Sequence, residues 1–461
     1  MKKYIILAVA ALVMSNCSLY KKYERPADIT TENLFGGAET GADGLAVLQW
    51  REIFTDPTLQ ELIDHTLQHN VNMKKAELNI KEMEEGLRCA KIAYIPSLAF
   101  APSGTISGGH KWNEGKNSSV NTSKTYQLPL SASWQIGQPG YLRNNKRKAQ
   151  VQLETARIAR QATQTALVAG VANLYYTLAM LDEQLVLAEQ TRENWKQMLD
   201  KSRKLFEAGQ TNAAALASTE ANIYSVEANI VDLKRNIHEL QNTMASLSGE
   251  TPHHISRAAL SSWHTPAQIE TGVPALLLSR RPDVRIAEQT LAAQFYEVNI
   301  ARSQFYPSLT LTGTAAWSNA LGQTILNPGA LIGSGIASIA QPLFMNGRLR
   351  ANFRIQKMEM EKAQMDFQQT LIEAGAEVNT AMAKVQSADA KKSIYANQVA
   401  ALKRAVDATQ KLMLNTNQYN YLNVLTAQTS LLSCQMGEIA NQMESIQATI
   451  ELYQALGGGA E

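Results

Sequence analysis

The chain has 461 residues, a net charge of +2 from 43 basic and 41 acidic side chains, and three cysteines. That length accommodates two or three ordinary domains or one elongated architecture. The balanced charge excludes the basic surplus of a nucleic-acid-binding protein, and Cys17, Cys89 and Cys434 are too few and too scattered for a disulfide framework or a cysteine-rich metal site.

Residues 1–16 read as a secretion signal. Lys2 and Lys3 form a positive start, and Tyr4 to Met14 is an apolar run of 11 residues, too short to span a bilayer. Cys17 follows directly, where a bacterial lipoprotein signal places its acylated cysteine, although Asn16 stands where a small residue is usual. An acyl chain there would anchor residues 17–56 to a membrane as an extended segment. No later segment carries an uninterrupted apolar run long enough for a transmembrane helix, so the mature chain could cross a membrane only as a closed β-barrel.

The rest divides into two halves, 57–250 and 274–456, joined by a Pro- and His-containing linker at 251–273 and ended by a short tail at 457–461. Ala93-Tyr94-Ile95-Pro96-Ser97-Leu98 matches Gln304-Phe305-Tyr306-Pro307-Ser308-Leu309, Gly140-Tyr141-Leu142-Arg143-Asn144 matches Gly347-Arg348-Leu349-Arg350-Ala351, and Gly209-Gln210-Thr211-Asn212 matches Asn417-Gln418-Tyr419-Asn420. The nearly constant offset, about 206 to 211 residues, marks an internal repeat.

Each half opens with a helix. Asp56 before Pro57 supplies an N-cap and a first-turn proline. Ala76, Ile80, Met83, Leu87 and Ala90 recur at helical spacing, mirrored by Ala287, Leu291, Val298 and Ala301. A β-patterned segment comes next. Leu128, Leu130, Ala132, Trp134 and Ile136 alternate with Gln127, Pro129, Ser131, Ser133 and Gln135, and Leu309, Leu311, Gly313, Ala315 and Trp317 alternate with Ser308, Thr310, Thr312 and Thr314. This period predicts one hairpin per half, at about 97–137 with a polar loop over Gly108 to Ser123, and at about 308–344 with a loop over Ser318 to Gly329. The alternation fits lipid-facing barrel strands, and equally a soluble hairpin packed on a helix.

Long heptad-patterned stretches follow. Leu167, Val171, Leu174, Leu178, Leu181 and Leu185 alternate by four and three, as do Ile223, Val226, Ile230, Leu233, Ile237, Leu240, Met244 and Leu247. Ile439, Met443, Ile446, Ile450 and Tyr453 repeat the second series, and Leu371, Ala374, Val378, Ala381, Val385 and Ala388 form a seam of smaller residues. Such heptads predict left-handed coiled-coil packing. Residues 347–416, with no proline, would make a helix of roughly 100 Å. Taken alone, the heptads fit a fibrous coiled coil or a soluble bundle best. The β segments decide against that. Barrel closure takes about eight strands, so a chain with two hairpins must share its barrel with other copies. Three chains of four strands would leave an open lumen.

These pieces coincide in a family. From Cys17-Ser18-Leu19 and Tyr23-Glu24-Arg25-Pro26 to the end, the chain resembles the TolC-like outer-membrane efflux factors in their lipoprotein branch. The resemblance is carried by Gly272-Val273-Pro274, Ser279-Arg280-Arg281-Pro282-Asp283-Val284-Arg285, Phe305-Tyr306-Pro307-Ser308-Leu309, Phe344-Met345-Asn346-Gly347-Arg348-Leu349 and Ala455-Leu456-Gly457-Gly458-Gly459. It implies a mostly α fold with a small β part: a homotrimer whose β-barrel sits in outer-membrane lipid, four strands per chain, above a long coiled-coil α-helical barrel. It also implies supply by an inner-membrane transporter of the RND type through a periplasmic adaptor. Pro282 and Asp283 read as the first turn of a helix, with the arginines as structural pairing partners.

The gate is expected at the helix-turn-helix tips, Phe206 to Glu220 and Leu414 to Gln428. In related channels an apolar and an acidic residue near the second tip constrict the pore. The matching positions are Leu422 and Thr426, so the acidic one is absent here, and Glu220 is the nearest acidic candidate at the first tip. Gln210, Thr211, Asn212, Gln418, Tyr419 and Asn420 are the candidate adaptor contacts. There is no phosphate-binding glycine loop, G-x-S-x-G or H-E-x-x-H, which points away from an enzyme and from any cofactor. His65 and His69 have a metal-compatible spacing but no obvious third ligand in the local sequence, and read as solvent-facing. A conduit for type I protein secretion or metal-ion efflux remains open, as does a structural coiled-coil lipoprotein, which would not need the hairpins.

Overall fold

The computed structural model describes residues 20–26, 49–111, 119–209, 211–263, 280–320, 331–415 and 421–458. The signal segment 1–16, Cys17, most of 17–56, and residues 264–279 at the end of the linker and the start of the second half lie outside them.

Helix α1 (Trp50–Ile53) leads into α2 (Pro57–His69), where the Asp56 side chain accepts a bond from the Thr58 N–H at 2.9 Å. The periodicity that suggested one opening helix continues in a second, α3 (Val71–Ile92). Asn70 makes the break. Its Oδ1 accepts from the N–H groups of Asn72 and Met73, satisfying donors that an uninterrupted helix would have bonded internally. Then come β1 (Ser97–Phe100), β2 (Ser103–Lys111), β3 (Ser119–Gly137), α4 (Tyr141–Glu207), α5 (Ala213–Ser248) and a short 3-10 turn at Leu260–Ser262. The second half supplies α6 (Pro282–Ser303), β4 (Ser308–Ala320), β5 (Leu331–Ala340), α7 (Arg348–Asn415) and α8 (Tyr421–Ala455). The chain forms two compact units: a sheet unit from Met1–Ala27, Ile80–Ala156 and Ala287–Phe367, and a helical unit from Asp28–Asn79, Arg157–Ile286 and Gln368–Glu461.

In the sheet unit all strand pairs are antiparallel, in the order β1-β3-β4-β5 with β2 also on β3. The first strand is split at Ala101-Pro102, where proline has no N–H to give the ladder. The polar segment predicted as a loop over Gly108 to Ser123 is largely strand: pairing continues from Gly108↔Thr122 to Lys111↔Ser119. Backbone bonds make that ladder, and they need no apolar side chains. β4 likewise runs through Ser318 to Ala320, while β5 stops at Ala340, before Pro342 and short of Phe344. At the base of this unit Arg25 makes a bidentate pair with Glu288, and Tyr23 packs edge-on against Phe295 at 5.8 Å.

In the helical unit the heptad positions are buried or half-buried. Leu371, Ala374, Val378, Ala381, Val385 and Ala388 of α7 are all inside, as are Ile223, Val226, Ile230, Leu233 and Met244 of α5 and Met443, Ile446, Ile450 and Tyr453 of α8. The segment before α2 and the linker after α5 are pinned by aromatics. Phe54 packs edge-on against Tyr453 (5.9 Å), Tyr176 packs edge-on against Trp263 (5.1 Å), and the Tyr175 hydroxyl donates to Asp56 while accepting from the Ala258 N–H. Arg281, nearly fully buried, donates to Asp283, to Glu377 and to the Ala455 carbonyl. Burial alone would push the Asp283 carboxyl up, but Arg281's bonds and charge hold it below its ordinary value. That contribution to stability is therefore fully present above the ordinary carboxylate value and lost as the pH falls below it, through the lowered value of the folded protein.

Helix α5 ends at Gly249, whose φ is 76°, a left-handed conformation that costs an L side chain. A Cβ there would also stand 3.1 Å from the His69 carbonyl oxygen. Gly249→Ala is expected to destabilise the protein by about 1 kcal/mol or more, read as a lowered melting temperature in detergent by circular dichroism.

Candidate channel wall and helical tips

The strand register puts every predicted apolar face on the same side of the sheet. Leu98 and Phe100 of β1 lie opposite Ala132 and Leu130 of β3. Leu130, Ala132 and Trp134 lie opposite Ala315, Gly313 and Leu311 of β4. Leu311, Gly313, Ala315 and Trp317 lie opposite Ala337, Gly335, Gly333 and Leu331 of β5. Cross-strand partners share a face, so one surface is apolar from β1 to β5 alongside Leu128 to Trp134, and that same face turns polar beyond Tyr126, at Lys124 and Asn319. The other carries Ser97, Ser131, Ser133, Thr310, Thr312, Thr314, Ser334 and Ser338, interrupted by Ile332 and Ile336. Ile136, read as the last member of the apolar series, falls instead at a bulge between Gln135 and Gly137 and has no partner on β4. Among the described residues the apolar surface is uncovered: Leu98 keeps 72% of its area open and Ile339 71%.

At the first tip, α4 ends at Glu207 and the chain turns through Gly209 at φ 73°. Asn212 caps α5, its side chain accepting from the Ala215 N–H at 2.9 Å. Thr211 is half-buried and Asn212 exposed, while Gln210 lies outside the described residues. Glu220 sits on α5, 3.8 Å from Arg203 of α4. The second tip is described only from its helices. Gln418, Tyr419 and Asn420 lie outside the described residues, as does the side chain of Leu422, which falls in the first turn of α8. Val424 is fully buried and packs with Met198 of α4, with Ala215 and Leu425 against them. Thr426, two residues beyond Val424, is exposed.

Sequence reading missed the ion pairs that stitch each hairpin. Lys234–Glu189 (3.1 Å), Lys196–Glu227 (3.6 Å) and Arg203–Glu220 (3.8 Å) join α4 to α5. Lys384–Glu451 (2.6 Å) and Lys391–Glu444 (2.9 Å) join α7 to α8. Successive pairs are one heptad apart on each helix, so charges flanking the apolar seam at that spacing were the signal available. In the second hairpin, among the described residues, the ladder gives way toward the tip to a close contact in which Gly437 leaves room for the Tyr395 ring.

An amphipathic sheet with open edges, joined in one chain to two long helical hairpins, is the architecture of an outer-membrane conduit. Residues 62–250 and 273–458 match the family described as outer membrane efflux protein, and the chain belongs to that family. The toluene efflux pump outer membrane protein TtgC of Pseudomonas putida is 26% identical over 99% of this chain and 96% of its own length. The cation efflux system protein CusC of Escherichia coli K12 is 26% identical over 97% of this chain and 98% of its own. A crystal structure of CusC superposes with a TM-score of 0.83 at 26% identity, covering 96% of this chain and all of that one. The chain is accordingly an efflux channel protein of the outer membrane.

Exposed ion pairs contribute little each. A double-mutant cycle of Arg203→Ala and Glu220→Ala is expected to give a coupling below about 1 kcal/mol at low salt, vanishing near about 1 M NaCl, measured by thermal unfolding of the purified protein.

Proposed function

We propose that the chain is the passive, non-enzymatic outer-membrane duct of a tripartite efflux system. Three copies pool their sheets into one closed wall, and their helical hairpins continue the duct through the periplasm. A periplasmic adaptor meets the tips, and an inner-membrane transporter of the RND type supplies energy and substrate. In this reading residues 1–16 are removed, Cys17 carries the lipid, and 251–273 links two repeats at 57–250 and 274–456. The observation that carries it is the uncovered apolar face of the sheet. The two relatives above, equally similar to this chain, are named for toluene and for cations. That supports placing substrate choice in the inner-membrane partner.

A charge on the lipid side of a barrel costs roughly 2–4 kcal/mol at mid-membrane, and one in the lumen far less. Leu130→Arg is therefore expected to abolish outer-membrane assembly, while Ser131→Arg, one residue along and on the opposite face, assembles and alters conductance. Membrane fractionation and heat-modifiable migration read both, and equal assembly of the two variants would refute the orientation.

The gate is assigned to the tips, with Leu422 and Thr426 on α8 and Glu220 on α5, and the adaptor contact to Gln210, Thr211, Asn212, Gln418, Tyr419 and Asn420. Opening is a shift between two packings of the hairpins, biased by the adaptor. In planar bilayers Leu422→Ala is expected to raise the closed-state leak and Thr426→Asp to change its cation selectivity. A leak unchanged in both removes these positions from the gate.

A further inference from the structure

The sheet ends in two unlike edges. On one side β1 and β2 share a single register on β3 and act as one strand, and on the other stands β5. Three constraints fix how the edge of one copy can meet that of the next. The first is parity. Leu98 and Phe100 lie on the apolar side at one edge, Ala337 and Ile339 at the other, so a seam that keeps lipid on one side sets even-numbered residues of β1 and β2 opposite odd-numbered residues of β5. Backbone direction demands the same. The Ala101 N–H donates to the Pro129 carbonyl, so Leu98 and Phe100 turn their backbone groups to the open edge, and the alternation carried through β3 and β4 turns those of Ala337 and Ile339 outward too.

The second constraint is length. The whole of β5, Leu331–Ala340, finds partners along Ser97–Lys111 with this parity only if Ile339 lies opposite Leu98, Phe100 or Pro102. The third is tilt. Straight across the ladders Leu98 is level with Gly335, through Ala132 and Gly313. In a closed wall of three chains, strands tilted by about 35–45° drift by about four to six residues per chain. Drift in the other sense would carry β5 past the start of β1 and into α3. Resting on the reading that three copies share one wall, we propose that β5 of each copy pairs antiparallel with β1 and β2 of the next, Ile339 lying opposite Leu98 or, at the steeper tilt, Phe100. The base of the seam has matching bare surface. Leu343 and Phe344, just past β5, are 92% and 82% exposed, and Ile95, just before β1, is 64% exposed. Antiparallel pairing brings these ends together and takes both from water.

Cysteine pairs in the full-length protein, carrying Cys89→Ser and Cys434→Ala and oxidised in isolated outer membranes, test the seam. Ser338→Cys with Ala99→Cys face each other if Ile339 meets Leu98, and Ser338→Cys with Ala101→Cys if it meets Phe100. Within one chain either pair spans the sheet and is too far apart to bridge. One of the two is expected to give about tenfold more disulfide-linked copies than Ser338→Cys with Leu98→Cys, whose side chains point to opposite faces. If neither exceeds that control while the protein still migrates as a heat-modifiable oligomer, the seam is overturned and the proposed duct stands. No oligomer from the parent protein removes both. Leu343→Ser is expected to lower the temperature at which the oligomer separates into single chains, and an unchanged temperature takes Leu343 out of the seam.

Discussion

A sheet with an apolar band across one side, and unpaired at both of its edges among the described residues, has no stable resting place alone. Water penalises the exposed Leu98, Phe100, Leu130 and Ile339. Lipid would satisfy that face but penalise the free N–H and C=O groups along β5 and along the split β1–β2 strand. Lipid on the apolar side and further strands at both edges remove both costs at once. The wall of the channel is thus a consequence of backbone hydrogen bonding as much as of hydrophobicity, and assembly and insertion become coupled demands.

The helical part solves a different problem. Alanine and valine at alternate heptad positions of α7 let a long helix approach its neighbours closely without the bulk that would force it to bend away. The ends are held by specific devices: the aromatic pins around Phe54, Tyr176 and Trp263, the Arg281 hub, and the Gly249 cap. Each joins segments far apart in sequence, which is how the helices, the segment before α2 and the linker become one packed unit.

The fold was legible wherever a pattern repeats. Period two located the sheet and its lipid-compatible side, and the heptads located the buried seams down to individual residues such as Ala374 and Ile230. Single-residue events were not legible. The break at Asn70 depends on a side chain that caps the next helix and also reaches Leu247. The extension of β2 and β3 into polar sequence depends on backbone pairing, which leaves little mark on composition. For the tips, the sequence indicated where the turns fall, but the Arg203–Glu220 contact requires the antiparallel register of two helices. The contact of His65 with Glu250 likewise spans almost a whole repeat and has no local signature.

The ladders of charge between α4 and α5 have a mechanical corollary. Because the three pairs share a single heptad spacing, a slide of one helix along the other by less than that interval separates every cation from its carboxylate, and a slide of a full interval re-forms fewer pairs than it breaks. Each pair is weak, so the ladder favours this one register without locking it, and added salt loosens the preference.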